Sequence, residues 1–468
     1  MAKRLSSVLG IDIGSRKIKV AEVRTQAKEP VISALGMIDT PEGAVDHTGV
    51  YNAEAVGVAL KQALSQAGAS VSHVVVSIAG QASVLVRTLE VPRMSPAELS
   101  EHMQWEINRN IPFAESNVLS DYKQLEDEDP SSANMEVVMA ISPQSAIDTV
   151  VACIKKAGKQ MAAIDVQALG IARSLKVSYA DLYQDLTVCV VDVGHLTTSI
   201  NIYKNGRLLM PRQVPVGGEM FTKAIADAMG VGMEEAELLK QQKCHVHVGL
   251  LQTAIPDSFS FGVPDAGTGA APGLTQEFQP YNPFADDMPS AGPATPPEAL
   301  PPAPAADEPF HTGAFEEPTT FGETQPPAAA EAEPPSAYDP FSAASAPAPE
   351  PAHAADMPTP IVPGDPETQR INNSVAPVLE EFVAEVRRSL DYFRSRSGNV
   401  DHLVLSGGAS KLAGLTETLG QALAVACDSY DPMRHISVSG KKIEPTFVDE
   451  NRPDFAIAVG NGLHIFFE

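Results

Sequence analysis

The chain has 468 residues, and 33 Lys and Arg against 59 Asp and Glu leave it a formal charge of −26. Residues 251–366 hold 26 of the 39 prolines and 17 acidic side chains but no Lys or Arg, so the rest of the chain keeps 33 basic against 42 acidic side chains. A body of that sign with no Lys/Arg-rich run excludes phosphate-backbone neutralisation as its main work, because nucleic-acid affinity comes largely from displaced counterions.

In chain order, residues 8–25 read as a β-rich run, a Gly-Ser turn and a second run that alternates apolar and polar positions, which is strand, tight turn, strand. A helix follows over 53–66, with Val56, Leu60, Ala63 and Leu64 on one face, and VVVSIAG at 74–80 supplies a buried strand. Between 84 and 164 the texture becomes that of a small α+β insertion. It has a strand at VLVRTLEVP, a helix from Pro96 and Glu98, a turn at 126–134, the strand MEVVMAIS and a helix from Ser145. Trp105, in WEINRNIPF, is expected to pack. Residues 187–214 then repeat the opening pattern, with Asp192 and Gly194 in the turn and Asn205-Gly206 as a hairpin signal. A strand-turn-strand unit with Asp-x-Gly has thus occurred twice, which predicts a duplicated α/β architecture whose halves face one another.

Helical periodicity resumes over 218–243 and breaks at Cys244. The acidic Pro/Ala tract that follows is too poor in Leu, Ile and Val to offset roughly 1 to 2 kcal/mol of backbone entropy per residue, and it reads as a disordered insertion. Within it, Asn282-Pro283-Phe284, Glu308-Pro309-Phe310 and Asp339-Pro340-Phe341 repeat one short pattern, read either as docking motifs or as incidental aromatics of a spacer. A long amphipathic helix carries Ile371 through Phe393, with Pro377 near its first turn. Then come the strand HLVLSGGAS, a helix over 412–422 and the small-residue segment FAIAVGNGLHIFFE.

Cys153, Cys189, Cys244 and Cys427 form no CxxC pair, which argues against a disulfide framework, and Cys244, His245 and His247 cannot close a tetrahedral metal cage unaided. No apolar run approaches the roughly 18 residues that span a bilayer. Met1 to Gly10 has no leader cleavage pattern. The expectation is a soluble cytoplasmic protein.

Three Gly-centred turns follow strands: Gly10 to Ser15, Asp192 to Thr198, and Ser406 to Ser410. Glycine lets main-chain amides approach phosphate oxygens, and Ser or Thr hydroxyls add donors. An Asp from each of the first two turns can hold Mg²⁺, typically through water. Each signal alone is a common turn spelling. Their joint order, spacing and flanking strands resemble the ATPase fold shared by actin, the heat-shock chaperone ATPases and hexokinase.

More narrowly, the chain resembles the bacterial actin-like PilM family of type IV pilus assembly, and also FtsA of cell division. The resemblance is carried by LGIDIGSRKIKVAEV, VRTLEVPRMSPAELSEHMQWEINRNIPF, AIDVQALGIARSL, VVDVGHLTTSINIYKNGRLLMPRQVPVGGEMFTKAI and LVLSGGASKLAGLTETL. It implies an actin-like fold of two duplicated lobes with subdomain 1A at 1–83 and 165–205, 1C at 84–164, and 2A and 2B at 206–249 and 367–454. The insertion takes 250–366, and 455–468 is an interdomain helix returning to 1A.

By the same resemblance, Asp12, Gly14, Ser15 and Lys17 lie in the first phosphate turn and Asp192, Gly194, Thr197 and Thr198 in the second. Gly217 and Gly218 follow the second hairpin. Gly407, Gly408 and Ala409 form an adenosine loop, and Glu237 and Lys240 flank the nucleoside. ATP with Mg²⁺ on Asp12 and Asp192 is the implied cofactor. Two positions depart from the family: His195 stands where a small residue is usual, and Gln167 where Glu is common, although an amide can still orient a water. ATP binding with at most weak hydrolysis is therefore expected.

The implied partner is the short cytoplasmic N-terminal peptide of PilN, received in a groove of 1A and 1C at the inner-membrane platform. PilO, PilC, a pilus assembly ATPase and further copies of the chain are candidate neighbours, and nucleic acid is not. An FtsA-like division protein and a sugar-kinase-like enzyme are the rival readings. The first usually carries a membrane helix after the core, and none is expected after Phe466-Phe467-Glu468.

Overall fold

The computed structural model describes residues 5–113, 117–125, 131–253 and 365–467, all within one compact unit. The Pro/Ala tract and its three Pro-Phe motifs lie outside the described residues.

The first lobe opens with β1 (Ser7–Ile13), β2 (Lys17–Gln26) and β3 (Glu29–Asp39), an antiparallel meander, followed by α1 (Ala53–Ala67) and β4 (His73–Ile78). An inserted unit follows: β5 (Leu85–Pro92), α2 (Pro96–Arg109), β6 (Val118–Gln124) and β7 (Asn134–Pro143), whose strands form a separate sheet in the order β5-β7-β6. The chain then returns through α3 (Gln144–Lys156), β8 (Gln160–Val166) and α4 (Gln167–Ser178).

The second lobe repeats the plan. A meander of β9 (Thr187–Val193), β10 (Thr198–Lys204) and β11 (Arg207–Val214) leads to α5 (Gly218–Met229), α6 (Met233–Lys243) and the short α7 (Gly249–Thr253). After the insertion come α8 (Pro366–Ser374), α9 (Ala376–Ser397), β12 (His402–Ser406), α10 (Leu415–Leu423) and β13 (Ala426–Ser429). The segment β14 (Ser437–Val438), α11 (Pro445–Asn451) and α12 (Ala456–Gly462) closes the fold.

Sheet order makes the duplication explicit. The first sheet runs β14-β3-β2-β1-β4-β8 and the second β11-β10-β9-β12-β13. In each, the first strand pairs antiparallel with the second and parallel with the strand after the helices. Both faces of these sheets are covered, as parallel strands require. One core gathers Leu9, Ile11, Leu60, Val74 and Val76 under α1, and the other gathers Val191, Ile200, Phe221, Phe382 and Leu403.

Several boundaries differ from the sequence expectation. The strand β3 is absent from the β, β, α, β order read for the first 80 residues. The helix read over 218–243 is two, broken at Gly230, which adopts φ 70°. The helix read through Ile371 to Phe393 is also two, α8 and α9, because Pro377 in the first turn of α9 has no N–H to continue the earlier ladder. The helix expected over 412–422 is α10, preceded by a 3₁₀ turn at Gly408–Lys411.

Packing also moves the subdomain limits. Val150, Cys153 and Ile154 of α3 join the first-lobe core, and β8 pairs with β4, so the insertion occupies β5 to β7 rather than 84–164. Strands β9 and β10 belong to the second sheet, which therefore begins at Thr187 rather than at 206. The chain is back on the first lobe before 455, because Met433 and Ile436 pack with Val23 and Ile32, and β14 pairs with β3. Trp105 is 55% exposed. The buried stripe of α2 is Leu99, Met103 and Ile107 on the β-face of the inserted sheet, and Trp105 lies off that stripe, under the Arg109 guanidinium.

The helices α4 and α12 cross at glycines. A Cβ on Gly460 would fall 1.9 Å from the Gly170 carbonyl oxygen, and one on Gly10 would fall 1.9 Å from that of Ala458. Asn461, fully buried beside this crossing, donates to the Ile11 carbonyl at 2.8 Å and accepts from Ser77 Oγ at 2.9 Å. The small residues between Ala456 and Leu463 thus let this segment pass close to other backbones.

Candidate functional site

The two leading hairpins are built alike. Ile13 faces Ile18 and Val193 faces Thr198, so each turn has four residues. The Gly14 N–H donates to the Lys17 carbonyl at 3.1 Å and the Gly194 N–H to that of Thr197 at 3.0 Å. The glycine amides are spent closing the turns, and the closed turn itself leaves no room for a side chain at these positions. A Cβ on Gly14 or Gly194 would lie 2.9 or 2.7 Å from those same carbonyl oxygens.

Both turns line one cleft of about 940 Å³, together with the loop after β12, α6 and the start of α12. Asp12, Gly14, Ser15, Lys17, Gln167, Asp192, Gly194, Thr197, Gly218, Glu237, Lys240, Gly408 and Ala409 all border it. Thr198, Gly217 and Gly407, also read as ligand contacts, stand behind the wall. Thr198 is fully buried and its hydroxyl donates to the Val216 carbonyl at 2.6 Å. Thr197 is the last residue of the turn and borders the cleft, whereas Thr198 is the first residue of β10. Gly407 adopts φ 88° and lies on the Val193 backbone, where any Cβ would collide at 2.5 Å. Lys17 borders the cleft, but its ammonium pairs with Asp39 at 2.7 Å.

Sequence reasoning missed the residue at the centre. Lys19 lies opposite Asp12 in the β1–β2 register, and its Nζ is 2.9 Å from Asp12 Oδ2. Asp192 and Asp454 are near enough to add to the pull on this ammonium, and its pKa is raised even though burial opposes the charge. The register itself carried the signal: in a four-residue hairpin, Asp12 and Lys19 must be cross-strand partners. Asp454 also went unnoticed. It is nearly buried, pairs with Lys411 at 2.7 Å, and sits where a Cβ on Gly408 would meet it at 3.0 Å.

On the second-lobe wall, Lys240 Nζ lies 2.7 Å from Glu237 Oε2 and donates to Thr222 Oγ1 at 2.8 Å and to the Gly218 carbonyl at 3.1 Å. Gln241 and Thr222 also donate to Glu237. Burial opposes the Glu237 charge, but Lys240 and these donors hold its pKa below the ordinary value. The pair is thus a fixed, satisfied platform beside Ala409, whose Cβ is 2.8 Å from the place a Gly218 Cβ would take.

Burial pushes the Asp192 carboxyl up to about 6, with Lys19 pulling the other way. A folded value above the ordinary 3.8 means that the stabilising contribution is complete below about pH 3.8 and is lost as pH rises through about 6. Asp192→Asn is therefore expected to stabilise the ligand-free protein at pH 7 by about 1 to 2 kcal/mol, a range reduced because the carboxylate opens onto the cleft. Urea unfolding at pH 7 and pH 4 checks it, and a gain of equal size at both pH values would contradict the assignment.

The cleft is lined by the cations of Lys19, Lys240, Lys411 and Arg16 and by the carboxylates of Asp12, Asp192, Glu237 and Asp454, the last two paired with Lys240 and Lys411. That mixture suits a polyanion that carries a divalent ion. Among the described residues no group of three or more His, Cys, Asp or Glu side chains is placed to hold a metal by itself. Mg²⁺ is commonly bound by one or two carboxylates and phosphate oxygens with waters retained. The donor set fits an ion that arrives with phosphate.

The family described as Type IV pilus assembly protein PilM matches residues 10–246, and that of cell division protein FtsA matches residues 189–460. The FtsA of Neisseria meningitidis is 27% identical over 273 residues, which cover 53% of this chain and 62% of that protein. The FtsA of Bacillus subtilis is 30% identical over 113 residues, covering 24% of this chain and 25% of that one. The chain thus spans less than two thirds of these relatives' lengths. A solved PilM-PilN type IV pilus biogenesis complex contains a chain that aligns over 99% of both proteins, with TM-score 0.66 and 22% identity. The fold is the actin-like one. No helix among the described residues is long and apolar enough to cross a membrane.

Proposed function

The chain belongs to the PilM family of type IV pilus assembly proteins, and from that premise we propose that it is an ATP-binding scaffold that docks the N-terminal peptide of PilN. The observation that carries the nucleotide is the single cleft in which two like hairpins, the Gly408-Ala409 loop and the Glu237–Lys240 platform converge. Triphosphate oxygens would take Lys19 and the hairpin tips, with Ser15 and Thr197 as hydroxyl donors. Asp12 and Asp192 would hold Mg²⁺ through water. When bound, Mg²⁺ neutralises phosphate charge. Gln167, at the start of α4 on the cleft wall, can orient a water, and we assign it no stronger catalytic role than that.

The lining of the same cleft extends into a groove along Val45 to Tyr51, Ile78 to Gly80, Ala82, Ser83 and the first turns of α3. There the first lobe meets the inserted sheet, with Ser142 Oγ donating to the Ser83 carbonyl at 2.7 Å. Val45, Val50, Ala79, Ala82 and Ala146 give it an apolar lining that suits a short extended peptide. Continuity with the cleft makes domain closure over ATP a means of changing the groove, which is population shift by differential affinity. Placement at the cytoplasmic face of the inner membrane would follow from the PilN contact.

Calorimetric titration of ATP-Mg²⁺, and then of a synthetic PilN N-terminal peptide, tests this. Wild type is expected to bind both, and Asp192→Ala to lose at least tenfold in ATP-Mg²⁺ affinity, about 1.4 kcal/mol. Ala146→Trp, which fills the groove, should abolish peptide binding and leave ATP binding intact. Failure of wild type to bind either ligand would overturn the reading.

A further inference from the structure

We propose that the inserted sheet is the mechanical link between the cleft and the groove, and that the ion pair between Glu136 of β7 and Arg207 of β11 is its joint to the second lobe. The inference rests on the nucleotide and peptide readings of those two places and adds the route by which one acts on the other.

The chain enters the inserted unit from β4 and leaves it into α3, so both of its connections are to the first lobe. Its sheet nevertheless lies on the second. Side chains alternate along β5 and β7. Val91, Met135, Val137 and Met139 go to the face that α2 covers. Val86 and Val138, on the opposite face, join the core that holds Tyr203 and Leu208 of the β10–β11 hairpin. Thr88 Oγ1 donates to the Leu208 carbonyl at 3.5 Å. Next along this face, Arg207 donates to the Glu136 carboxylate. Glu136 stands directly across from Glu90 in the β5–β7 register. Like charges so placed repel, and Arg207 offsets this at Glu136.

Two strands carry this contact to the two sites. β11 starts at Arg207, and Gln213 near its far end borders the cleft, where its side-chain amide donates to Thr197 Oγ1 at 3.1 Å. The span is about 20 Å at the rise of a strand. In the other direction, β7 covers about the same length from Glu136 to Ser142. There Ser142 Oγ donates to the Ser83 carbonyl, and Ser83 Oγ donates to the Thr48 carbonyl at 2.8 Å. Thr48 and Gly49 wall the groove, and they fit Ser83 without slack, since a Cβ on Gly49 would lie 2.1 Å from Ser83 Oγ.

A closure of the lobes that moves the β10–β11 hairpin must therefore carry β7 with it or break the Glu136–Arg207 joint. With the joint made, the groove wall follows the second lobe. With the joint broken, the inserted unit stays with the first lobe and the groove no longer senses the cleft. The two ligands then bias one element with two positions, and each must change the affinity of the other by the same factor.

The test is a calorimetric cycle: PilN N-terminal peptide titrated with and without saturating ATP-Mg²⁺, and ATP-Mg²⁺ with and without peptide. It is run in wild type, Glu136→Gln, Glu136→Lys and the double variant Glu136→Lys with Arg207→Glu. In wild type each ligand should change the affinity of the other by about fivefold or more, the low end of ordinary allosteric coupling. Glu136→Gln should at least halve that factor, and Glu136→Lys, which sets like charges together, should bring it below about twofold. Each ligand alone should bind these variants within about threefold of wild type, because neither residue borders the cleft or the groove. The double variant restores opposite charges and should recover a factor of about threefold or more. A merely structural role of the pair would leave the factor unchanged in the folded protein. A wild-type factor near one, an unchanged factor in Glu136→Gln and Glu136→Lys, or no recovery in the double variant overturns the joint and leaves both binding readings standing. Failure of wild type to bind either ligand overturns those readings, and this inference with them.

Discussion

Lys19→Met is expected to lower stability by about 3 to 5 kcal/mol at pH 7 and to abolish ATP-Mg²⁺ binding. The first magnitude is that of removing one partner from a buried ion pair, which leaves the other charge uncompensated. Asp12 is 2% exposed and has Lys19 Nζ at 2.9 Å, and Asp192 and Asp454 face the same ammonium. Methionine matches the stem of lysine in length, so little packing is lost and the effect reports charge. Its pH dependence has a definite sign. Lys19 lowers the Asp192 pKa from what burial alone would set, so removing it moves that carboxyl further above about 6. A raised carboxylate loses its stabilising contribution as pH rises, so the deficit of the variant grows between pH 4 and pH 7. Urea midpoints measured across that range decide the matter. A deficit under 1 kcal/mol at pH 7, or one that shrinks as pH rises, would show that Lys19 is not the counter-ion of this cluster.

This centre also marks where sequence reading stops. The hairpins were legible because Asp-x-Gly between β-rich runs spells a turn in only a few ways, and the duplication followed from its recurrence. Lys19 needed the cross-strand register of β1 and β2 as well as the motif. Asp454 needed tertiary structure, since it reaches the cleft from the segment between α11 and α12. Thr198 was placed with Thr197 because a motif does not mark where the turn ends and β10 begins, which is between the two. The strand β3 was missed where Gly36 and Ala34 weaken its β-rich texture. These small residues are there for packing, since a Cβ on Gly36 would lie 2.8 Å from Ala67 of α1. The boundary errors share a cause: composition marks where texture changes, and sheet membership is decided by contacts such as α3 on α1.

The crossing of α4 and α12 gives the second large effect. Gly460→Ala is expected to destabilise the protein by about 3 kcal/mol or more, beyond the usual range for a single added methyl group. The neighbour that the new Cβ meets is not a side-chain end that can rotate but the Gly170 carbonyl, 1.9 Å away. Relief requires the two helices to separate. Separation in turn pulls Asn461 from the Ile11 carbonyl, the residue before Asp12, and from Ser77, leaving buried polar groups unpaired. Stability and site geometry should therefore fail together: the urea midpoint falls, and the ATP-Mg²⁺ affinity of the fraction still folded falls with it. Gly232→Ala is the control. No atom lies within 4 Å of its Cβ position and its φ is −70°, so its midpoint should stay within about 0.5 kcal/mol of wild type. Equal midpoints for the two variants would mean that the helices part at no cost, and that the glycines at the crossing do not set the distance between α4 and α12.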